Sequence, residues 1–296
     1  MILCFDIGGS RIKAASALGG QITPLGDTPT PATDFTGFLA ALRGFVSPDH
    51  TAVAISIAGV VDPDTQRIRV ANIPCADGRA LAAEIEAALG LPALVLNDAD
   101  CFALAESRQG AGQGHRNVFG IILGTGVGGG LVIDGKLVSG PGGYAGEWGH
   151  GPVAKTEVAG VTLPEFPCGC GLTGCIDAVG SARGIEKLHR TLHGTDLTSQ
   201  SILSAWQSAD PAAAQTVKVW TALVAPPLAM AVNTVGASIV PVGGGLSNVP
   251  ALIDKLDRAV RAMILRQTDR PLIVPAQCRM EPGLIGAAEA GYAAFG

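Results

Sequence analysis

Apolar and polar positions follow two rhythms along this chain. Short apolar runs, such as AVAISIAG around Ile55, ALVLND around Leu94 and FGIILG around Ile121, read as strands. Between them lie Ala-rich segments whose apolar residues recur at helical spacing. They predict helices over residues 35–45, 80–89, 99–109 and 181–192, the last followed by a glycine suited to cap it. Strand and helix patterns that alternate in this way predict an α/β fold.

The two halves open alike. ILCFDIGGSRIKAASA at the N-terminus and FGIILGTGVGGGLVIDGKLV from Phe119 both run as apolar strand, glycine turn and second alternating strand, the pattern of an internal duplication. In the second copy the Asp-Gly of IDGK is a hairpin signal. The polar, glycine-rich GAGQGHRN has no apolar face and marks a crossing between halves. The expected division is therefore an N-terminal α/β lobe over 1–116, completed by a C-terminal helix over 282–296, and a C-terminal α/β lobe over 117–281.

Composition narrows the partners. A length of 296 residues with 48% hydrophobic content suffices for two ordinary domains with real cores. A net charge of -5 with scattered Lys and Arg argues against nucleic acid. The opening MILCFDIGGS lacks the basic and apolar regions of a secretory signal, so the expected location is cytoplasmic. Residues 219–253 contain no charge, but Pro226, Pro227, Asn233 and Gly236 interrupt them. A buried helix followed by the strand SIVPVGG is expected there rather than a membrane span.

Two phosphate motifs fail on inspection. GTGVGG, residues 124–129, satisfies G-x-G-x-x-G, yet Leu131, Val132 and Ile133 continue as a strand where that fingerprint needs a helix. GLVIDGK, residues 130–136, fits G-x-x-x-x-G-K, yet Leu137 stands where a P-loop needs a hydroxyl. What remains is the general property of glycine turns, whose backbone can approach phosphate oxygens closely. Two such turns can grip one nucleotide triphosphate, or they can be plain tight hairpins. Asp6, beside the first turn, can orient a metal through water.

Between the turns, VLNDADCFALAE ends an apolar run at Asn97 and Asp98 and starts a helix at once. Asp98 is either an N-cap or a carboxylate at a strand's C-terminal end. In the second role it can take a hydroxyl proton as that hydroxyl attacks a phosphoryl group. FPCGCGLTGC holds three of the seven cysteines. Cys168 and Cys170 are too close for an easy disulfide. With Cys175 and His150, eighteen positions before Cys168, they make a Cys₃His set suited to structural zinc. The alternative is a loop of reduced, unliganded thiols. Cys4, Cys75, Cys101 and Cys278 are isolated in apolar contexts and read as small core residues.

DIGGS at Asp6, AGVVD at Ala58, NDADCFALAE at Asn97, LGTGVGGGLV at Leu123, GGYAGEWGH at Gly142, CGCGLTGC at Cys168 and GGGLS at Gly243 together resemble the ROK family of repressors and sugar kinases. The resemblance covers essentially the whole chain. It implies a two-lobed, actin-like (ribonuclease H-like) ATPase fold with a zinc-binding loop in the second lobe. ATP phosphates and Mg2+ would be held by Asp6, Gly8, Gly9, Ser10, Lys13, Gly124, Thr125, Gly126 and Gly128, with Gly244 and Gly245 near the adenosine. Asp98 would be the general base. Gly59, Asn72, Asn97, Glu147, His150 and Asp177 would line the sugar, and His150, Cys168, Cys170 and Cys175 would hold Zn2+. Asp177 departs from the family, which usually has Glu there; Ser10 replaces the usual Thr, and Ala58 a common Pro.

NDADCFALAE, the long insertion between His150 and Cys168, and LPEF point within the family to ATP-dependent phosphorylation of the 6-hydroxyl of N-acetyl-D-glucosamine. Glucokinase, fructokinase and N-acetylmannosamine kinase activities stay open, as does a catalytically silent, sugar-responsive regulator. The repressor branch carries a helix-turn-helix ahead of the phosphate motif, which begins here at residue 6. Family analogy suggests a homodimer. On this reading the metal fixes His150 and its loop against the sugar, so its removal weakens sugar binding before ATP binding.

Overall fold

The computed structural model describes residues 1–278 and 280–296. By contact the chain divides into two compact units. One comprises Met1–Gln113, Gly130–Ala145 and Cys278–Gly296, and the other Gly114–Gly129 and Gly146–Gln277.

The first elements are β1 (Ile2–Ile7), β2 (Arg11–Leu18), β3 (Gln21–Pro29), α1 (Phe35–Arg43), β4 (Ala52–Ile57), the short pair β5 (Val60–Val61) and β6 (Ile68–Arg69), α2 (Leu81–Leu89), β7 (Ala93–Asn97) and α3 (Asp98–Gln109). There follow β8 (Asn117–Leu123), β9 (Val127–Ile133), β10 (Lys136–Val138), the small hairpin β11 (Glu157–Val158) and β12 (Val161–Thr162), α4 (Asp177–Gly180), α5 (Ala182–His193), α6 (Ser199–Gln207), α7 (Pro211–Val235), β13 (Val240–Gly243), α8 (Pro250–Arg261), β14 (Ile273–Pro275) and α9 (Pro282–Phe295).

Two five-stranded sheets have the orders β3-β2-β1-β4-β7 and β10-β9-β8-β13-β14. Numbered by chain order within each sheet, the third, second, first, fourth and fifth strands lie side by side in both, which is the internal duplication expected from the two similar openings. The first sheet is mixed: β1 runs antiparallel to β2 and parallel to β4, and β4 runs parallel to β7. In the second, β13 is parallel to both β8 and β14. Asp134 and Gly135 connect β9 to β10 with φ of 51° and 72°. A two-residue loop with both φ positive matches the hairpin twist, as the Asp-Gly signal predicts.

β1 shows how a strand serves two layers. Leu3, Phe5 and Ile7 join Phe38, Leu42, Val53, Ile55 and Ile85 in one core, while Ile2 and Cys4 face a second core with Ala54, Cys101, Leu284 and Ala287. That second layer is built from small residues because α9 lies close against α3, β1 and β4. Cys4 and Cys101 are buried there and Cys278 is buried elsewhere, as expected, whereas Cys75 is only partly covered.

The predicted helices correspond to α1, α2, α3 and α5, and Gly194 ends α5 in the left-handed conformation at φ 68°. The uncharged stretch 219–253 is the later part of α7 followed by β13, and α7 runs on through Pro226 and Pro227. Among the described residues, no helix is long and apolar enough to cross a membrane. β9 follows the second glycine turn, so a strand stands where the dinucleotide fingerprint requires a helix.

The crossing of α9 over α3 sets the tolerance of the small-residue layer. A Cβ at Gly286 would lie 1.9 Å from the carbonyl oxygen of Cys101, so one helix or the other must shift. Gly286→Ala is expected to lower unfolding stability by about 1–3 kcal/mol in a urea titration, despite alanine's better helix propensity.

Candidate active site and metal centre

In the first unit the site is assembled by strand register. Ile7 of β1 pairs with Ile57 of β4, and Ile57 pairs with Asn97 of β7, so three parallel strands end level with one another. Their C-terminal ends carry the turn Gly8–Gly9–Ser10, the loop of Ala58 and Gly59, and Asp98. Ligands of open α/β sheets bind at this kind of edge.

Asn97 is the N-cap of α3, with φ -64° and ψ 148°. Its Oδ1 accepts from the N–H of Ala99 at 2.8 Å and of Asp100 at 3.3 Å. Its Nδ2 donates to the carbonyl of Gly59 at 3.0 Å. Capping therefore falls to Asn97, and Asp98 stands at the first helical position, where its Oδ1 also accepts from Ala99 N–H at 2.9 Å.

The first glycine turn is tied down at several points. Gly8 N–H donates to the Arg11 carbonyl at 3.0 Å, and Thr30 Oγ1 donates to the Gly8 carbonyl at 2.7 Å. The side chain of Asn72 packs so near Gly9 that a Cβ on Gly9 would sit about 3.1 Å from it. Behind the turn, Asp6 accepts from Ser56 Oγ at 2.9 Å across the β1–β4 pair, and Gly283 of α9 leaves room for its carboxylate. Burial raises the Asp6 carboxyl above its ordinary range, while Ser56 and Lys13 act in the opposite direction. Lys13 pairs with both oxygens of Glu281 at 3.0 Å.

In the second unit β8 and β13 also end together, since Ile122 pairs with Gly243. This puts the turn Gly124–Thr125–Gly126 against Gly244. There φ is 84°, and a Cβ would lie 2.5 Å from the Leu123 carbonyl oxygen. Beyond Gly244, a cavity of about 220 Å³ is lined by Gln200, Ser204 and Gln207 of α6 together with Gly245, Leu246 and Asn248.

The cysteine loop sits beside that turn. The donor atoms of His150, Cys168, Cys170 and Cys175 all lie within 4.8 Å of one another. His150 Nδ1 is 3.7 Å from Cys168 Sγ, and the sulfurs of Cys170 and Cys175 are 3.6 Å apart. A tetrahedral ion with bonds of about 2.3 Å to sulfur would place its ligands about 3.8 Å apart, so the donor set fits a thiophilic divalent cation. The Leu172 N–H lowers the Cys170 thiol to about 7, toward the form a metal requires. The other ring nitrogen of His150, Nε2, lies 3.6 Å from Glu147 Oε2. One imidazole thus joins the sulfur cluster to a half-buried carboxylate, whose carboxyl is raised chiefly by burial.

Asp177, at the start of α4, faces the glycine turn as well as the cluster. Its Oδ1 accepts from Val127 N–H at 2.7 Å, and its Oδ2 takes the Cys168 thiol at 3.4 Å. Trp148, between Glu147 and His150, donates from Nε1 to the Gly128 carbonyl at 3.0 Å and meets Phe119 edge to face. Sequence reasoning missed Trp148, Ser56 and Glu281. Ser56 left one signal, being the polar residue inside the apolar run AVAISIAG and wholly buried.

Two sheets of the same strand order, each with a glycine turn at the ends of its parallel strands, and a Cys₃His cluster beside the second turn define the class of protein. The chain belongs to the ROK family, whose model matches residues 2–290. It is 34% identical to the N-acetyl-D-glucosamine kinase of Pasteurella multocida (strain Pm70), covering 96% of this chain and 97% of that protein. It is 33% identical to the N-acetylgalactosamine kinase AgaK of Shewanella sp. (strain ANA-3), covering 97% and 95%. Among solved structures it resembles a ROK family glucokinase from Streptomyces griseus in complex with glucose and AMPPNP. That match has a TM-score of 0.74 and 30% identity, and covers 98% of each chain.

Asn97 holds both the helix that carries Asp98 and the Gly59 loop. Asn97→Ala is expected to lower unfolding stability by about 1–2 kcal/mol, whereas Asn97→Asp, which keeps the cap acceptor, recovers part of the loss; denaturant titration of both variants reads the difference.

Proposed function

We propose that this ROK family chain transfers the γ-phosphoryl group of ATP to the 6-hydroxyl of N-acetyl-D-glucosamine, giving N-acetylglucosamine 6-phosphate. ATP-dependent sugar kinase is the coarser statement, and family membership over residues 2–290 carries it. The observation that most supports a chemical role for Asp98 is its place at the C-terminal end of β7, level with the Gly8–Gly9–Ser10 turn and the Gly59 loop. The two-lobed actin-like fold is part of the same reading, supported by two sheets of equal order in a chain of two compact units.

In the first unit, Asp98 takes the proton of the attacking hydroxyl on a carboxylate oxygen. Gly59, Asn72 and Asn97 shape the sugar's surroundings, with Asn97 fixing the loop and helix start by its two hydrogen-bonded ends. The backbone of Gly8, Gly9 and Ser10 approaches phosphate oxygens, Lys13 adds positive charge, and Asp6 is the carboxylate available to a hydrated Mg2+. Mg2+, when bound, neutralises phosphate charge.

In the second unit, Gly124, Thr125, Gly126 and Gly128 serve the phosphates, and the cavity beside Gly244 and Gly245 receives the adenosine. Glu147 and His150 contact sugar hydroxyls. Zn2+ held by His150, Cys168, Cys170 and Cys175 supplies rigidity to that loop. Because phosphoryl transfer depends mainly on positioning and electrostatics, these groups need only hold hydroxyl and phosphoryl in line.

A second acceptor is favoured by one specific finding: the identity to the Shewanella N-acetylgalactosamine kinase is 33%, against 34% for the Pasteurella N-acetylglucosamine kinase. ADP release measured over N-acetylglucosamine, N-acetylgalactosamine, N-acetylmannosamine, glucose and fructose separates these acceptors, and the first is expected to give the highest kcat/KM. Asp98→Asn is expected to lower kcat by at least roughly 10²-fold with sugar affinity nearly unchanged. A near-normal kcat in that variant removes Asp98 from the chemistry.

A further inference from the structure

The cysteine loop and the second glycine turn are joined by more than proximity. Asp177 Oδ1 holds Val127 N–H at 2.7 Å, just where the turn passes into β9, and a Cβ on Gly126 would lie 2.8 Å from the same oxygen. Trp148 Nε1 holds the Gly128 carbonyl two residues further on. Gly149 lies against Val127, where a Cβ would be 2.8 Å from the Val127 carbonyl oxygen, and Gly149's own carbonyl accepts from Asp177 N–H at 2.8 Å. The chain on either side of the cluster, from Gly146 to His150 and from Cys168 to Asp177, is therefore stitched to the exit of the turn.

We propose that Asp177 is a positioning residue for the second phosphate turn, and that the metal loop sets the aim of that turn through it. The inference rests on reading residues 124–128 as a phosphate turn. A carboxylate that accepts a short hydrogen bond from Val127 N–H fixes the peptide plane that leads out of Gly126. The amides before it then keep one direction. Asp177 follows Cys175 of the cluster by two residues, and its N–H donates to the carbonyl of Gly149, the neighbour of His150, at 2.8 Å, so an ordered cluster steadies the carboxylate and a loosened cluster releases it. Asp177 reaches the Val127 amide directly, at 2.7 Å. This differs from the role expected from the sequence, which directs Asp177 at the sugar and lets metal removal reach sugar binding first.

The test compares Asp177→Ala, Asp177→Asn and the unaltered full chain by two direct measurements: equilibrium binding of AMPPNP and of N-acetylglucosamine, and hydrogen exchange of peptides spanning 124–130. Loss of a hydrogen bond to a charged group changes an equilibrium about tenfold. Asp177→Ala is thus expected to weaken AMPPNP about tenfold and quicken exchange over 124–130. Exchange around Gly8 and Gly9 should stay the same, and sugar affinity should stay within about twofold. Asp177→Asn keeps an acceptor for Val127 and should restore most of the nucleotide affinity. Chelation of the metal should quicken exchange over 124–130 in the unaltered chain and add little in Asp177→Ala.

Lost sugar affinity with intact nucleotide affinity in Asp177→Ala overturns the proposal and makes Asp177 a sugar ligand. Unchanged exchange over 124–130 also overturns it. If Asp177→Ala fails to fold, Asp177→Ser, whose hydroxyl is too short to reach Val127, is read instead, with weaker AMPPNP binding expected and unchanged binding contradicting. If the unaltered chain binds no AMPPNP, the phosphate-turn reading itself fails, while the exchange measurement still decides whether Asp177 holds the turn.

Discussion

Everything in the first unit depends on three parallel strands ending at one level. Ile7, Ile57 and Asn97 are in register, so the residues that follow them emerge side by side although they are separated by up to about ninety positions in sequence. A slip of one residue in β7 would turn Asn97 to the opposite face of the sheet and leave Gly59 and the first turn of α3 without their common hydrogen-bond partner. The buried sets of β1 and β4 hold that register from both sides, with Phe5 and Ile55 in one core and Cys4 and Ala54 in the other. The small residues of the second core are thus a requirement of the site as well as of packing, since α9 brings Gly283 onto the Asp6 carboxylate.

The second sheet has the same strand order, but its glycine turn is stiffened differently. Gly244 lies directly on the chain at Leu123 and Gly124, and the cysteine loop presses Trp148, Gly149 and Asp177 onto the turn from the other side. His150 reaches the sulfurs through Nδ1 and Glu147 through Nε2, so the orientation of one ring carries the geometry of the cluster to a carboxylate.

Much of this was legible in the sequence, for physical reasons that differ by element. The strand–turn–strand openings and the Asp-Gly hairpin were legible because turn chemistry is local, and the cysteine cluster because soft ligands at short spacing have few other uses. The cap that the sequence offered to Asp98 belongs to Asn97, since both side chains suit that position and backbone geometry decides. β3 left no strand pattern: QITPLGDTP is mostly exposed and contains Pro24 and Gly26, and it is a strand because β2 pairs with it along its whole length. α7 passes through Pro226 and Pro227 because Leu223, Val224, Ala225 and Leu228 are buried around them, and tertiary packing outweighs helix propensity. The stitching by Trp148 and Asp177 joins residues twenty to fifty positions apart and has no local signature.

Transfer to the 6-hydroxyl is defined by the atom on which the phosphoryl group ends. Phosphorus–proton correlation NMR of the product formed from ATP and N-acetylglucosamine reads the bonding position directly. One sugar phosphate is expected, its phosphorus coupled to the two C6 methylene protons and formed in step with ADP. Phosphorus coupled to the anomeric proton, or ADP released with only inorganic phosphate beside it, would contradict transfer to the 6-hydroxyl.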